Sequence, residues 1–141
     1  MTTPRYADVQ AGAELPPQGY QVTRLDLVKY AGASGDFNSI HWNERAAKAV
    51  GLPDVIAHGM YTMAEAGRYL SAWAGDPGAV TEFGVRMSAM VVVPDDGRGA
   101  TIEVSGKVTE KLDGNRVAVE LTARSDGAKV LSRARAVVRL P

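Results

Sequence analysis

The stretch HGMYTMAEAGRYLSAW, residues 58–73, sets apolar or small side chains nearly all round a helix, at Met60, Met63, Ala64, Ala66, Gly67, Leu70 and Trp73. A helix of that composition expects burial on most sides, with the charged pair Glu65 and Arg68, three residues apart, sharing one exposed edge. Directly after Gly75-Asp76-Pro77-Gly78 the periodicity changes from helix to strand. Phe83, Val85, Met87, Ala89 and Val91 alternate with mostly polar neighbours, and Ile102, Val104, Gly106 and Val108 do the same. So do Val117, Val119, Leu121 and Ala123, and finally Val130, Ser132, Ala134, Ala136 and Val138. Turn residues separate the runs at Pro94-Asp95-Asp96-Gly97, Asp113-Gly114-Asn115 and Ser125-Asp126-Gly127. Four antiparallel strands with one apolar face need a cover, and the apolar helix before them supplies it. The pattern predicts an α+β fold in which the sheet curls round one central helix.

Upstream, Thr23 with Asp26 makes a capping-box start for a helix running to Ala33. A short loop, Ser34-Gly35-Asp36-Phe37-Asn38-Ser39, leads to Ile40-His41-Trp42. Asn43 then caps a short helix from Glu44 to Val50, with Gly51 and Pro53 beyond its end. The first fifteen or so residues are polar and proline-containing, and are expected to lie across the surface.

The 141 residues suit one domain spanning 1–141. Lys and Arg total 16 and Asp and Glu total 16, so the chain is formally neutral and offers no basic face for nucleic acid. With no cysteine there is no disulfide, thiolate metal site or cysteine nucleophile. No apolar leader segment and no membrane-length run stand out, which gives the expectation of a cytoplasmic chain without membrane insertion. The edges of such a sheet favour association with a second subunit.

The chain holds only two histidines, His41 and His58. His41 follows Asp36 by five residues across a Gly- and Asn-containing loop, so a carboxylate and an imidazole can reach one water or hydroxyl. Asn38 between them can brace the loop through backbone hydrogen bonds, and on spacing alone Asp36 and Asn38 read equally as turn residues. His58-Gly59 opens the apolar helix, where backbone N–H groups lack intrahelical partners and the missing Cβ of Gly59 admits a ligand oxygen. An ordinary close-packing glycine accounts for Gly59 as well. Asp36, His41 and His58 also form a two-histidine, one-carboxylate set, but no metal-type spacing supports it and no metal is expected. There is no G-x-S-x-G elbow for a serine nucleophile, and Gly32-x-x-Gly35 follows a helix rather than a strand, contrary to a dinucleotide loop.

Tyr30-Ala-Gly-Ala-Ser-Gly-Asp-Phe-Asn-Ser-Ile-His41 and Ile56-Ala-His-Gly-Met60 together resemble the hydratase motif of the MaoC-like (R)-specific enoyl hydratases, which have the hot-dog fold. The likeness extends over nearly the whole chain and is greatest toward the branch that contains the mycobacterial-type (3R)-hydroxyacyl-ACP dehydratases. It implies Asp36 and His41 as a catalytic dyad, and Gly59, Asn38 and His58 as oxyanion or substrate-binding residues. It also implies an acyl-ACP or acyl-CoA substrate, the dehydration step of mycolic-acid-type fatty acid elongation, and no cofactor. The partner it implies is a related hot-dog subunit in a heterodimer, with a homodimer as the other arrangement. Ser39 stands where most members carry proline. Two other functions share this fold: a non-catalytic subunit of a heteromeric dehydratase, and a thioesterase.

Overall fold

The computed structural model describes residues 2–141. Its five strands are β1 (Glu14–Val22), β2 (Val80–Met87), β3 (Ala100–Leu112), β4 (Arg116–Ser125) and β5 (Ala128–Arg139). They form one antiparallel sheet in the order β1-β3-β4-β5-β2. Three helices precede β2: α1 (Arg24–Ser34), α2 (Glu44–Ala49) and α3 (Gly59–Ala74). The sheet curls about α3, which touches β1, β2, β3 and β5. This is the α+β arrangement expected from the pattern and the hot-dog fold implied by the resemblance.

Local chemistry explains the helix ends. The Thr23 hydroxyl accepts the Asp26 N–H and the Asp26 carboxylate accepts the Thr23 N–H, closing the capping box. Asn43 accepts the Ala46 N–H at the start of α2. Helices α1 and α3 end on Gly35 and Gly75, both left-handed at φ 76° and 73°. Arg24 ties α1 to the following segments, donating to the Asp54 carboxylate at 2.7 Å and to the Val93 carbonyl.

Thr62, Ala66, Tyr69, Leu70 and Ala74 of α3 are buried against the sheet, with Ile102, Val104, Val108, Val119 and Leu121 among the facing core residues. Along one edge of the helix Met60, Ala64, Arg68 and Ala72 are exposed, while its other side chains are buried or half-buried, in keeping with burial on most sides and one open edge. Arg68 keeps its pairing with Glu65, at 3.4 Å.

Three details depart from the sequence pattern. Residues 14–22 form an edge strand, with Leu15, Tyr20 and Val22 buried, that begins at the end of the segment expected to lie across the surface. The Pro16-Pro17 pair sits at a register shift between Leu15 and Gln18 and breaks the alternation that marks a strand. Strand β2 ends at Met87, and Ser88, Ala89 and Met90 leave the sheet. In β5 the alternation is interrupted: Arg133 adopts φ 46°, and Leu131 rather than Ser132 lies opposite Ala123. The released Val130 carbonyl accepts the N–H groups of Ser88 and Ala89 at 3.0 and 3.4 Å, so the irregularity in β5 anchors the departing segment. Arg133, Arg135 and Arg139 are exposed, as expected of a solvated strand face.

Because Leu70 is fully enclosed between α3 and the sheet, Leu70→Ala should lower unfolding free energy by about 3 kcal/mol, within the range usual for emptied leucine sites. In contrast, Met60→Ala on the exposed strip should change it by less than about 0.5 kcal/mol. Urea denaturation of the two variants checks both.

Candidate functional site

The loop between α1 and α2 is shaped by its own side chains. Asp36 N–H donates to Ser34 Oγ, Asn38 N–H to Asp36 Oδ1, and Ile40 N–H to Asn38 Oδ1, at 3.2, 3.2 and 3.3 Å. The last of these starts the short turn Ser39–His41. Asn38 therefore spends its side-chain oxygen on the loop backbone.

This turn delivers His41 into a buried position, where Nδ1 lies 2.7 Å from the Ile56 carbonyl. A carbonyl only accepts, so Nδ1 carries the hydrogen and Nε2 of the neutral ring is left bare. His58, the residue before α3, is 1% exposed. Its Nε2 donates to the Asp36 carbonyl at 3.2 Å, and its Nδ1 has no hydrogen-bond partner. The two imidazoles stack with centroids 3.9 Å apart, and Tyr30 meets His58 edge-on at 4.8 Å. Burial, the largest influence, holds the His58 pKa below the ordinary histidine range. The Asp36 carbonyl bond opposes this shift and the nearby His41 reinforces it.

One donor atom each of Asp36, His41 and His58 lies within 4.8 Å of the other two. A ligating imidazole holds its metal in the ring plane, and stacked rings cannot both aim a lone pair at one ion. The trio is therefore poorly built for a metal.

A cavity of about 420 Å³ opens beside His41. Gly59, Thr62, Met87, Ser88, Met90 and Leu131 are among its walls. Asp36 does not line it, but stands on the solvent side, within reach of His41. As first residue of α3, Gly59 directs an N–H with no intrahelical acceptor, at the positive end of a 16-residue helix. Met87 lies so close that a Cβ on Gly59 would come within 3.1 Å of its Cγ.

The structure thus gathers Asp36, His41, His58 and Gly59 at one end of α3, and leaves Asn38 as a brace. Sequence reasoning missed the wall from Met87 to Met90, which reads as the end of a strand. It also missed the Ile56 carbonyl that orients His41, for which no side-chain signal exists.

Known proteins share both this fold and this sequence. The family model described as the MaoC like domain matches residues 8–126. The chain is 37% identical over 87 residues to the 3-hydroxyacyl-thioester dehydratase X of Mycobacterium tuberculosis, covering 60% of this chain and 30% of that protein. A solved MaoC-like dehydratase superposes with TM-score 0.94 at 46% identity, covering 99% of this chain and 43% of the other. The unliganded (R)-hydratase PhaJ1 of Pseudomonas aeruginosa superposes with TM-score 0.85 at 25% identity, covering 97% of this chain and 85% of that one. The chain spans less than half the length of the first two relatives. With the matched region taking in most of its length and both halves of the site, this chain belongs to the MaoC-like domain family.

Proposed function

We propose that this chain is a hydro-lyase that interconverts (3R)-hydroxyacyl and trans-2-enoyl thioesters, with Asp36 and His41 as its acid/base pair. The assignment rests on one arrangement: a carboxylate within 4.8 Å of an imidazole that lines a cavity which Gly59, the first residue of α3, also lines. Relatives named as dehydratases and hydratases support the same chemistry.

In the dehydration direction, loss of the C2 proton places negative charge on the thioester oxygen. The Gly59 N–H and the α3 dipole stabilise that charge. Bare Nε2 of His41 is the ring atom available for proton exchange, since Nδ1 is committed to Ile56. The Asp36 carboxylate accepts the Asn38 N–H through one oxygen and keeps the other for the water or hydroxyl. One member of the pair takes the C2 proton, and the pair returns a proton to the C3 hydroxyl, which leaves as water. The pair rather than either residue alone carries both roles. These steps consume no cofactor and no metal.

The substrate is carried on acyl carrier protein or coenzyme A, and the reaction is the dehydration step of mycolic-acid-type fatty acid elongation in the cytoplasm. A second hot-dog subunit, related or identical, pairs along the open edge of β2, next to the exposed Met60, Met87 and Met90.

Asp36→Asn and His41→Ala should each lower hydration of trans-2-enoyl-CoA by at least about a hundredfold while leaving thermal unfolding cooperative. Loss of the conjugated enoyl-thioester absorbance measures this, and wild-type rates in either variant would sink the dyad. Release of free thiol without hydration would identify a thioesterase instead.

Gly59→Pro supplies a separate test. Proline is well tolerated at the first position of a helix, and His58, at φ −57° and ψ 137°, already has the conformation that precedes proline. The substitution removes the N–H and should reduce kcat by about a hundredfold to a thousandfold. An unchanged kcat in the folded variant would show that the thioester oxygen finds its donor elsewhere.

A further inference from the structure

We propose that His58 is a positioning residue, not a substrate-binding one: its Nε2–H anchors the Asp36 loop to the start of α3, and its ring fixes the plane of His41. The inference builds on the proposed hydratase chemistry.

Three observations carry it. First, the other hydrogen bonds of the Asp36 loop are local, joining residues two to five apart, so they shape the loop without attaching it to the body. Among the described residues, the bond from His58 Nε2 to the Asp36 carbonyl is the hydrogen bond that ties residues 35–38 to an element distant in sequence. The four residues are themselves exposed, so burial does not restrain them.

Second, the stack at 3.9 Å leaves His41 with one ring face covered by His58. Together with the Ile56 carbonyl, which sets rotation in the plane, this determines where bare Nε2 points. Tyr30 supports His58 edge-on at 4.8 Å.

Third, the hydrogen inventory of His58 excludes a donor role toward substrate. A neutral imidazole has one N–H, and that hydrogen is already given to Asp36. Nδ1 is bare, buried and unpartnered, an arrangement that costs stability and that an apolar residue would avoid. Enclosure, the largest influence on His58, favours the neutral form of its ring.

The test compares three variants of the full chain with wild type. His58→Phe keeps a ring to stack on His41 but has no N–H; His58→Met has neither ring nor N–H; His58→Gln places an amide N–H near the position of Nε2. Hydration of trans-2-enoyl-CoA gives kcat and KM. Amide hydrogen exchange followed by NMR reports on Asn38 and Ile40, whose N–H groups are held inside the loop, and on the strand β4 amides as a check of folding.

Displacing the dyad by a fraction of an ångström should lower kcat in H58F by about tenfold to a hundredfold, with KM little changed. Exchange at Asn38 and Ile40 should quicken in H58F and H58M while β4 stays protected. H58Q, which restores the N–H but not the ring, should recover most of the exchange protection. Where H58F unfolds, H58M supplies the same exchange comparison. Unchanged exchange at Asn38 and Ile40 in the folded N–H-free variants overturns the proposal, as does an H58Q whose loop amides exchange no slower than those of H58F. A rise in KM without a fall in kcat would return His58 to substrate binding. If wild type itself shows no hydration, the hydratase assignment fails, and the exchange comparison still decides whether His58 anchors the loop.

Discussion

A helix laid into the hollow of a one-layer sheet begins, like any helix, with N–H groups that have no intrahelical acceptor. In this chain that beginning is Gly59, exposed and directly after the buried His58, and the elements around it leave it open. Strand β2 stops at Met87 rather than continuing over the helix end, and Ser88 and Ala89 bond instead to the Val130 carbonyl released by the irregularity in β5. A space of about 420 Å³ results where a continuous sheet would have closed over the helix. The unsatisfied donor, the sheet break and the cavity are three aspects of one packing solution.

The second half of the site comes from the opposite kind of structure. The Asp36–His41 segment buries little apolar surface, with Phe37 exposed and Ile40 half-buried, and is shaped by short-range polar bonds. Its ties to the core are the two imidazoles, each giving its one hydrogen to a backbone carbonyl, and the Ile40 carbonyl, which accepts the Ile56 N–H. The Ile56 carbonyl belongs to the body of the fold and orients His41, whereas His58, placed at the start of α3, holds the Asp36 carbonyl of the loop. This combination of a polar, exposed carboxylate with a packed, oriented imidazole places two proton-transfer groups of different surroundings side by side.

Much of this is legible in the sequence, for identifiable reasons. The helix at 58–73 and strands β3 and β4 are legible because their periodicity runs uninterrupted and carries through to the fold. The capping residues Thr23 and Asn43 are legible because a cap acts within three residues. Strand β1 is hidden, since Pro16 and Pro17 break the alternation and contribute no N–H, although the edge tolerates them. The phase change in β5 is hidden because a left-handed Arg133 has no local signature and is imposed by tertiary pairing. At the site, motif spacing points to Asp36, His41 and Gly59, whereas the carbonyls of Ile56 and Asp36 that orient the histidines belong to the backbone and carry no residue-type signal.

The proline pair in β1 has a consequence for growth of the sheet. The two outer strands are β1 and β2, and every antiparallel sheet invites further strands at both margins. At Pro16 and Pro17 the β1 margin has no N–H to offer an incoming strand, so extension there is interrupted. The margin at β2 has no such block. A sheet that can be lengthened from only one side cannot propagate: the first pairing across a two-fold axis uses up the available edge in both molecules. Two residues remote from the cavity thus make any strand-to-strand assembly terminate at a pair instead of running on as a fibre.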